Sequence, residues 1–254
     1  SAASDVYKRQ GRMTHRNPNM AQVPSVASPY GKECRSCWIV PEGYKLVGID
    51  ASGLELRMLA HYMDDKDYIN EILHGDIHTT NQKLAGLDSR DQAKTFIYAL
   101  IYGAGDAKLG KILNASKTEG TEIRNRFLNN LPALDTLTDK VKKAAQRGYL
   151  KGLDGRKLFV RSEHSALNTL LQGGGAIVMK QAMDILYNLI KLNTFDAKFV
   201  ANIHDEWQIQ VRETQVEAVG TVGVQSIHKA GDHFNLRCPL DGEFKVGESW
   251  YETH

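Results

Sequence analysis

Hydrophobic and polar positions along this chain change period several times. Lys45–Ile49, in "KLVGIDASGLE", is an apolar run with strand character that ends on a charge, Asp50. Ser52–Met63 then reads as a helix with an apolar face, opened through "SGLE". Tyr68–Leu84 keeps helical spacing with a break near Gly75. Ser89–Tyr102 predicts the best-formed helix of the chain, stopped by "GAG". Glu119–Leu128 and Leu134–Arg147 predict two more amphipathic helices parted by "NNLPA", and Ala166–Leu192 a long one. Lys198–His204 and Trp207–Val211 are β-rich and flank "HDE", the pattern of a hairpin with acids at its turn. Residues 1–37, with Pro18, Pro24 and Pro29, read as an extended arm. The expected class is α+β or mixed α/β, with a helix-rich insert between two strand-containing ends.

A carboxylate at the end of a buried strand is costly unless hydrogen-bonded, paired or bound to a cation. Asp50 therefore needs a compensating group. The Asp205-Glu206 pair sits at the end of another expected strand. Two carboxylates on neighbouring strands repel unless a cation lies between them. Mg²⁺ suits such a site, because it takes one or two carboxylates and completes its octahedron with water and substrate phosphate. A single acid at a strand end also serves as a cap or turn residue, so "HDE" alone leaves both roles open.

Bulk composition narrows the classes. The 254 residues are 42% hydrophobic and 24% charged, as in an ordinary globular protein large enough for a sizeable core. Net charge is +2, so an anionic partner must be held by a local patch. No stretch has the length of a membrane span, and "SAASDVYKRQGRMTHRNPNM" lacks the apolar core of a signal peptide. Three cysteines do not suggest a disulfide framework; Cys34 and Cys37 form a lone C-x-x-C with no second pair to complete a zinc site. His74 and His78 stand four apart, but "HGDIH" lacks the glutamate of H-E-x-x-H. Lys140, Lys142, Lys143, Arg147, Lys151, Arg156, Lys157 and Arg161 crowd a stretch with a Gly-punctuated turn, "KGLDGRK". It reads either as a solvated face or as a phosphate contact.

In "SRDQAKTFIYALIYGAG", Ala93, Phe96, Ile97 and Leu100 share one stripe about 100° wide. Arg90, Lys94, Tyr98 and Tyr102 follow at four-residue steps on the adjacent stripe. That edge is either solvated or suited to a triphosphate and the base and sugar attached to it. On local grounds Glu55 reads as a cap, since Ser52-x-x-Glu55 fits a capping box opening the following helix.

Taken in order, these segments resemble the polymerase motifs of family A DNA polymerases, in particular the replicative enzymes of podovirus-type bacteriophages. "GIDASGLELRMLAH" is similar to motif A, "RDQAKTFIYALIYGAG" to motif B and "HDE" to motif C. "GRMTHRNPNMAQVPS", "SPYGKECR", "GDIHTTNQ" and "ALNTLLQGGGA" resemble further family segments. The resemblance implies an α+β right-hand fold: a palm of antiparallel sheet and helices from residues 11–63 and 167–254, and helical fingers from 64–166. Residues 1–10 match none of the pattern, and thumb and exonuclease regions are expected upstream of this sequence.

The roles implied are those of a DNA-directed DNA polymerase in phage replication, working in the cytoplasm of an infected bacterium. Asp50 and Asp205, with the Ala51 carbonyl, would bind two Mg²⁺ ions, with Glu206 beside them. Arg90, Lys94 and His78 would grip the triphosphate, Tyr98 the sugar, and Tyr102 would sit near the templating base. Glu55 would gate against a ribose 2′-hydroxyl. Arg12, Asn168, Gln172 and His204 would touch the primer-template. Its partners would be primer-template DNA and dNTPs, with a processivity factor acting through the thumb. A nucleic-acid-binding fragment without turnover and a single-subunit RNA polymerase are the competing readings; Glu55 and the form of "HDE" argue against the latter.

Overall fold

The structure, a computed structural model, describes residues 11–15 and 18–253; residues 1–10 lie outside the described residues. A short helix α1 (Gly31–Ser36) precedes strand β1 (Tyr44–Ala51). Helices α2 (Leu54–Met63), α3 (Lys66–His74), α4 (Ile77–Ala85), α5 (Arg90–Ile101), α6 (Asp106–Ile112), α7 (Lys117–Asn130) and α8 (Pro132–Ala145) follow. A hairpin of β2 (Tyr149–Lys151) and β3 (Lys157–Phe159) comes next, then helix α9 (Ala166–Leu192). Strands β4 (Ala197–Ile203) and β5 (Glu206–Arg212), helix α10 (Val216–His233) and strand β6 (Gly242–Gly247) complete the order. Two compact units result: Ser1–Leu54 with Gly173–His254, and Glu55–Gln172. Among the described residues no helix is long and apolar enough to cross a membrane.

The first unit is built on one antiparallel sheet in the order β4-β5-β1-β6. Alternation sorts its residues by face. Val47, Ile49, Trp207 and Ile209 are fully buried. Helix α10 covers that apolar face; a Cβ at Gly223 would overlap Ile49 and one at Gly220 would overlap Phe244. Small residues thus let the helix lie close to the sheet. Gly48, Asp50, Glu206, Gln208, Glu243 and Lys245 occupy the other face by register.

The second unit is helical apart from the β2–β3 hairpin. Its starts are chemically marked. Asp65 caps α3, Asp76 caps α4 through the His78 and Thr79 amides, Ser89 caps α5, and Ser116 with Glu119 forms a full capping box on α7. Its core centres on Phe96 and Phe127, both fully buried, with rings edge to face at 5.3 Å and 82°.

Three local expectations change. Asp50 lies within β1, paired on both sides, and does not follow the strand. Glu206 already begins β5, so His204 and Asp205 alone make the turn, with His204 at φ 61°. In α5 the fully buried positions are Ala93, Phe96 and Ile97, with Ile101 at 1% exposure, while Leu100 is half-buried. Residues 100 and 101 flank the same stripe, and tertiary packing selected the second.

Candidate active site

In the first unit the acids meet across strands. Asp50 on β1 stands in register with Glu206 on β5 and Glu243 on β6. The Ala51 amide donates to the Asp205 carbonyl at 3.1 Å, tying the end of β1 to the tip of the β4–β5 hairpin. Asp50 and Asp205 are half-buried, and Glu206 is 6% exposed. A cavity of about 210 Å³ is lined by Gly48, Asp50, Glu206, Glu243, Lys245 and Thr253. Like charges directly opposite each other destabilise a sheet, so this acidic row favours a cation nearby.

Glu206 has its own partners. Its Oε1 accepts from Trp250 Nε1 at 3.0 Å and from Gln208 Nε2 at 2.5 Å. Among the described residues no group of three or more His, Cys, Asp or Glu is gathered into a metal cage. Asp50, Asp205 and the Ala51 carbonyl are all hard oxygen donors, and Mg²⁺ needs no more than one or two protein carboxylates. The donor set fits that ion. His74 ends α3 and His78 belongs to α4, so the pair does not share one helix.

The second unit gathers the cationic and aromatic residues. Arg90 Nε donates to Asp76 Oδ2 at 2.6 Å. That bond, helped by Thr79 and the His78 amide, holds the Asp76 carboxyl well below the usual carboxylate range. Burial, then the charges of Arg90 and Lys94, lowers the His78 pKa. His78 Nδ1 is buried without a hydrogen-bond partner. Its ring lies 6.3 Å from that of Tyr98, which is 6.3 Å from that of Tyr102. Tyr102 hydroxyl donates to Glu55 Oε1 at 3.0 Å. Glu55, Tyr102, Tyr98, His78, Arg90 and Lys94 thus form a connected series, acidic at one end and cationic at the other.

The remaining expected residues are placed less tightly. His15 Nε2 donates to the Asn202 carbonyl at 2.6 Å, fixing the segment that carries Arg12 to the strand that leads to His204. Asn168 and Gln172 lie half-buried on α9, and Asn168 Oδ1 is buried without a hydrogen-bond partner. The basic stretch divides between α8 and the β2–β3 hairpin. There Arg147 and Lys157 lie against the Tyr149 ring, at 5.2 and 4.7 Å from its centroid. Glu243 and Trp250 went unread in the sequence. The alternation in "GEFKVG" marks β6 and places Glu243 and Lys245 on one face; nothing local points from Trp250 to Glu206.

Comparison with known proteins identifies a family and a fold. The sequence model for DNA polymerase family A matches residues 3–252, beginning inside the segment expected to stand apart. The chain is 43% identical to the DNA-directed DNA polymerase of Enterobacteria phage T3 and 42% identical to that of Escherichia phage T7. Each match covers 96% of this chain and 39% of the relative. DNA polymerase I of Pseudomonas aeruginosa is 29% identical, over 96% of this chain and 29% of its own length. In fold, the chain is similar to the POL domain of Pol1 from M. smegmatis, solved in complex with DNA primer-template and dNTP. The TM-score is 0.89 at 24% identity, covering 98% of this chain and 47% of that one.

Proposed function

The chain belongs to DNA polymerase family A, and on that footing we propose that it supplies the palm and fingers of a phage-type DNA-directed DNA polymerase. The observation that carries this reading is the junction of β1 with the β4–β5 hairpin, which sets Asp50 and Asp205 on neighbouring segments tied by one backbone hydrogen bond from Ala51 to Asp205. The first unit lies largely in the palm segments, 11–63 and 167–254, and the second contains the fingers segment, 64–166.

In this reading the substrates are a primed DNA template and dNTPs. The primer 3′-oxygen bonds to the α-phosphorus, the bond to the bridging oxygen breaks, pyrophosphate leaves, and the hydroxyl proton passes to solvent. Asp50, Asp205 and the Ala51 carbonyl would hold two Mg²⁺ ions, which when bound neutralise charge on the attacking and leaving oxygens. Arg90 and Lys94 hold the triphosphate, and His78 adds its imidazole beside it. Tyr98 packs against the sugar and Tyr102 lies near the templating base. Glu55, fixed by Tyr102, closes the space that a 2′-hydroxyl needs. Arg12, His204, Asn168 and Gln172 contact the primer-template, and the cations of α8 and the hairpin meet template phosphate.

Primer extension with Mg²⁺ and dNTPs, run beside Asp205→Ala, tests the assignment. Extension products that vanish in the variant support it. Equal extension by both proteins contradicts it.

A further inference from the structure

We propose that Trp250 is a positioning residue for the Asp205 carboxylate, acting through Glu206. The inference rests on the polymerase reading of Asp50 and Asp205. Glu206 follows Asp205 directly, stands in register with Asp50, and is buried. Two neutral N–H groups converge on its Oε1, the Trp250 indole at 3.0 Å and the Gln208 amide at 2.5 Å. A buried carboxylate held in this way cannot rotate without forfeiting both bonds, so the first residue of β5 is pinned. The adjoining Asp205 is then presented from one backbone position, the one in which its carbonyl receives the Ala51 amide.

Each donor is itself oriented. Thr253 Oγ1 donates to Gln208 Oε1 at 2.8 Å, which leaves the amide nitrogen as the end that faces Glu206. The Trp250 ring is 2% exposed and lies under the Arg35 guanidinium, 4.3 Å from it. Arg35 is buried as well, anchored by Nε to the Pro24 carbonyl at 2.9 Å. Gly48 makes the arrangement possible. A Cβ there would come within 2.6 Å of Gln208 Nε2 and 2.7 Å of the Thr253 carbonyl oxygen. The glycine two residues before Asp50 is therefore the floor on which this network rests.

The test is Mn²⁺ binding, followed by water-proton relaxation, in the wild type, Asp205→Ala, Trp250→Phe, Glu206→Ala and the Trp250→Phe/Glu206→Ala double variant. Trp250→Phe keeps a ring against Arg35, removes the N–H and leaves a smaller ring in the same buried site, a packing loss that the Glu206→Ala background carries equally. Mn²⁺ affinity should fall about tenfold in Trp250→Phe, the size of one hydrogen bond to a charged group. In the Glu206→Ala background the same change should have no further effect. Wild-type affinity in Trp250→Phe, or an equal loss in both backgrounds, overturns the proposal. Equal binding by the wild type and Asp205→Ala instead removes the metal reading, and this inference with it. Should Trp250→Phe fail to fold, the Trp250 indole N–H resonance decides: it moves upfield in Glu206→Ala if the bond exists, and an unmoved resonance refutes it.

Discussion

Tyr102, at the end of α5, hydrogen-bonds Glu55, in the first turn of α2, at 3.0 Å. The glutamate is thereby held by a neighbour forty-seven positions away. Glu55→Ala should raise ribonucleotide incorporation at least tenfold, since a gate acts by excluding one hydroxyl. Tyr102→Phe keeps the ring and removes this one hydrogen bond. It should relax selection only a few-fold, as befits one hydrogen bond of about 1 kcal/mol. The ratio of kcat/KM for a ribonucleotide and its deoxy counterpart measures both.

Arg90 is engaged with Asp76, and in the proposed role it would exchange that partner for a phosphate. Asp76→Asn keeps a side chain able to cap α4 while removing the competing charge. Its apparent dNTP affinity should rise a few-fold at low salt, and the gain should vanish at high salt as screening weakens the exposed pair. Nucleotide titrations at two ionic strengths decide this.

The same carboxylate predicts a pH effect. Its folded pKa is depressed chiefly by the bond from Arg90. The stabilisation is therefore present above the ordinary aspartate value of about 3.9 and is lost as pH falls through the lower folded value. Wild type should exceed Asp76→Asn in melting temperature near pH 6, and the two should converge in acid. A constant offset across that range would contradict the assignment.

His78 should titrate below the ordinary histidine range, because burial and then Arg90 and Lys94 disfavour its charged form. Lys94→Gln should move its pKa upward. Saturating pyrophosphate should do the same, by bringing negative charge to that edge. Proton NMR of the imidazole follows both shifts.

In the helical unit, Phe127→Ala should cost about 3–5 kcal/mol, because it empties a fully buried site and removes the edge-to-face contact with Phe96. Chemical denaturation of the variant measures the loss. A cost below about 1 kcal/mol would mean that the site collapses or is not core.

Local signals carried much of this protein. Ser89 and "GAG" bound α5 within a residue of the expected helix, and α9 spans Ala166–Leu192 as its spacing predicts, because caps and periodicity act within a few residues. Asp50 and Asp205 were legible as charges beside apolar strands. What Glu206 does was not. Its side-chain direction follows from a register with Asp50, and its partner Trp250 lies forty-four positions away. Helix α10 carries glycines whose use shows only against Ile49 and Phe244 on the sheet. Contacts set by long-range pairing leave little trace in any one window of sequence.

In the proposed function Asp50 and Asp205 act together in nucleotidyl transfer. A single-turnover measurement of one dNMP addition, counted per bound primer-template, tests it most directly because differences in DNA affinity are then removed from the rate. Asp50→Ala and Asp205→Ala should each slow addition by about a thousandfold or more, a loss of several kcal/mol of charge stabilisation. Addition by either variant at the wild-type rate would contradict the account.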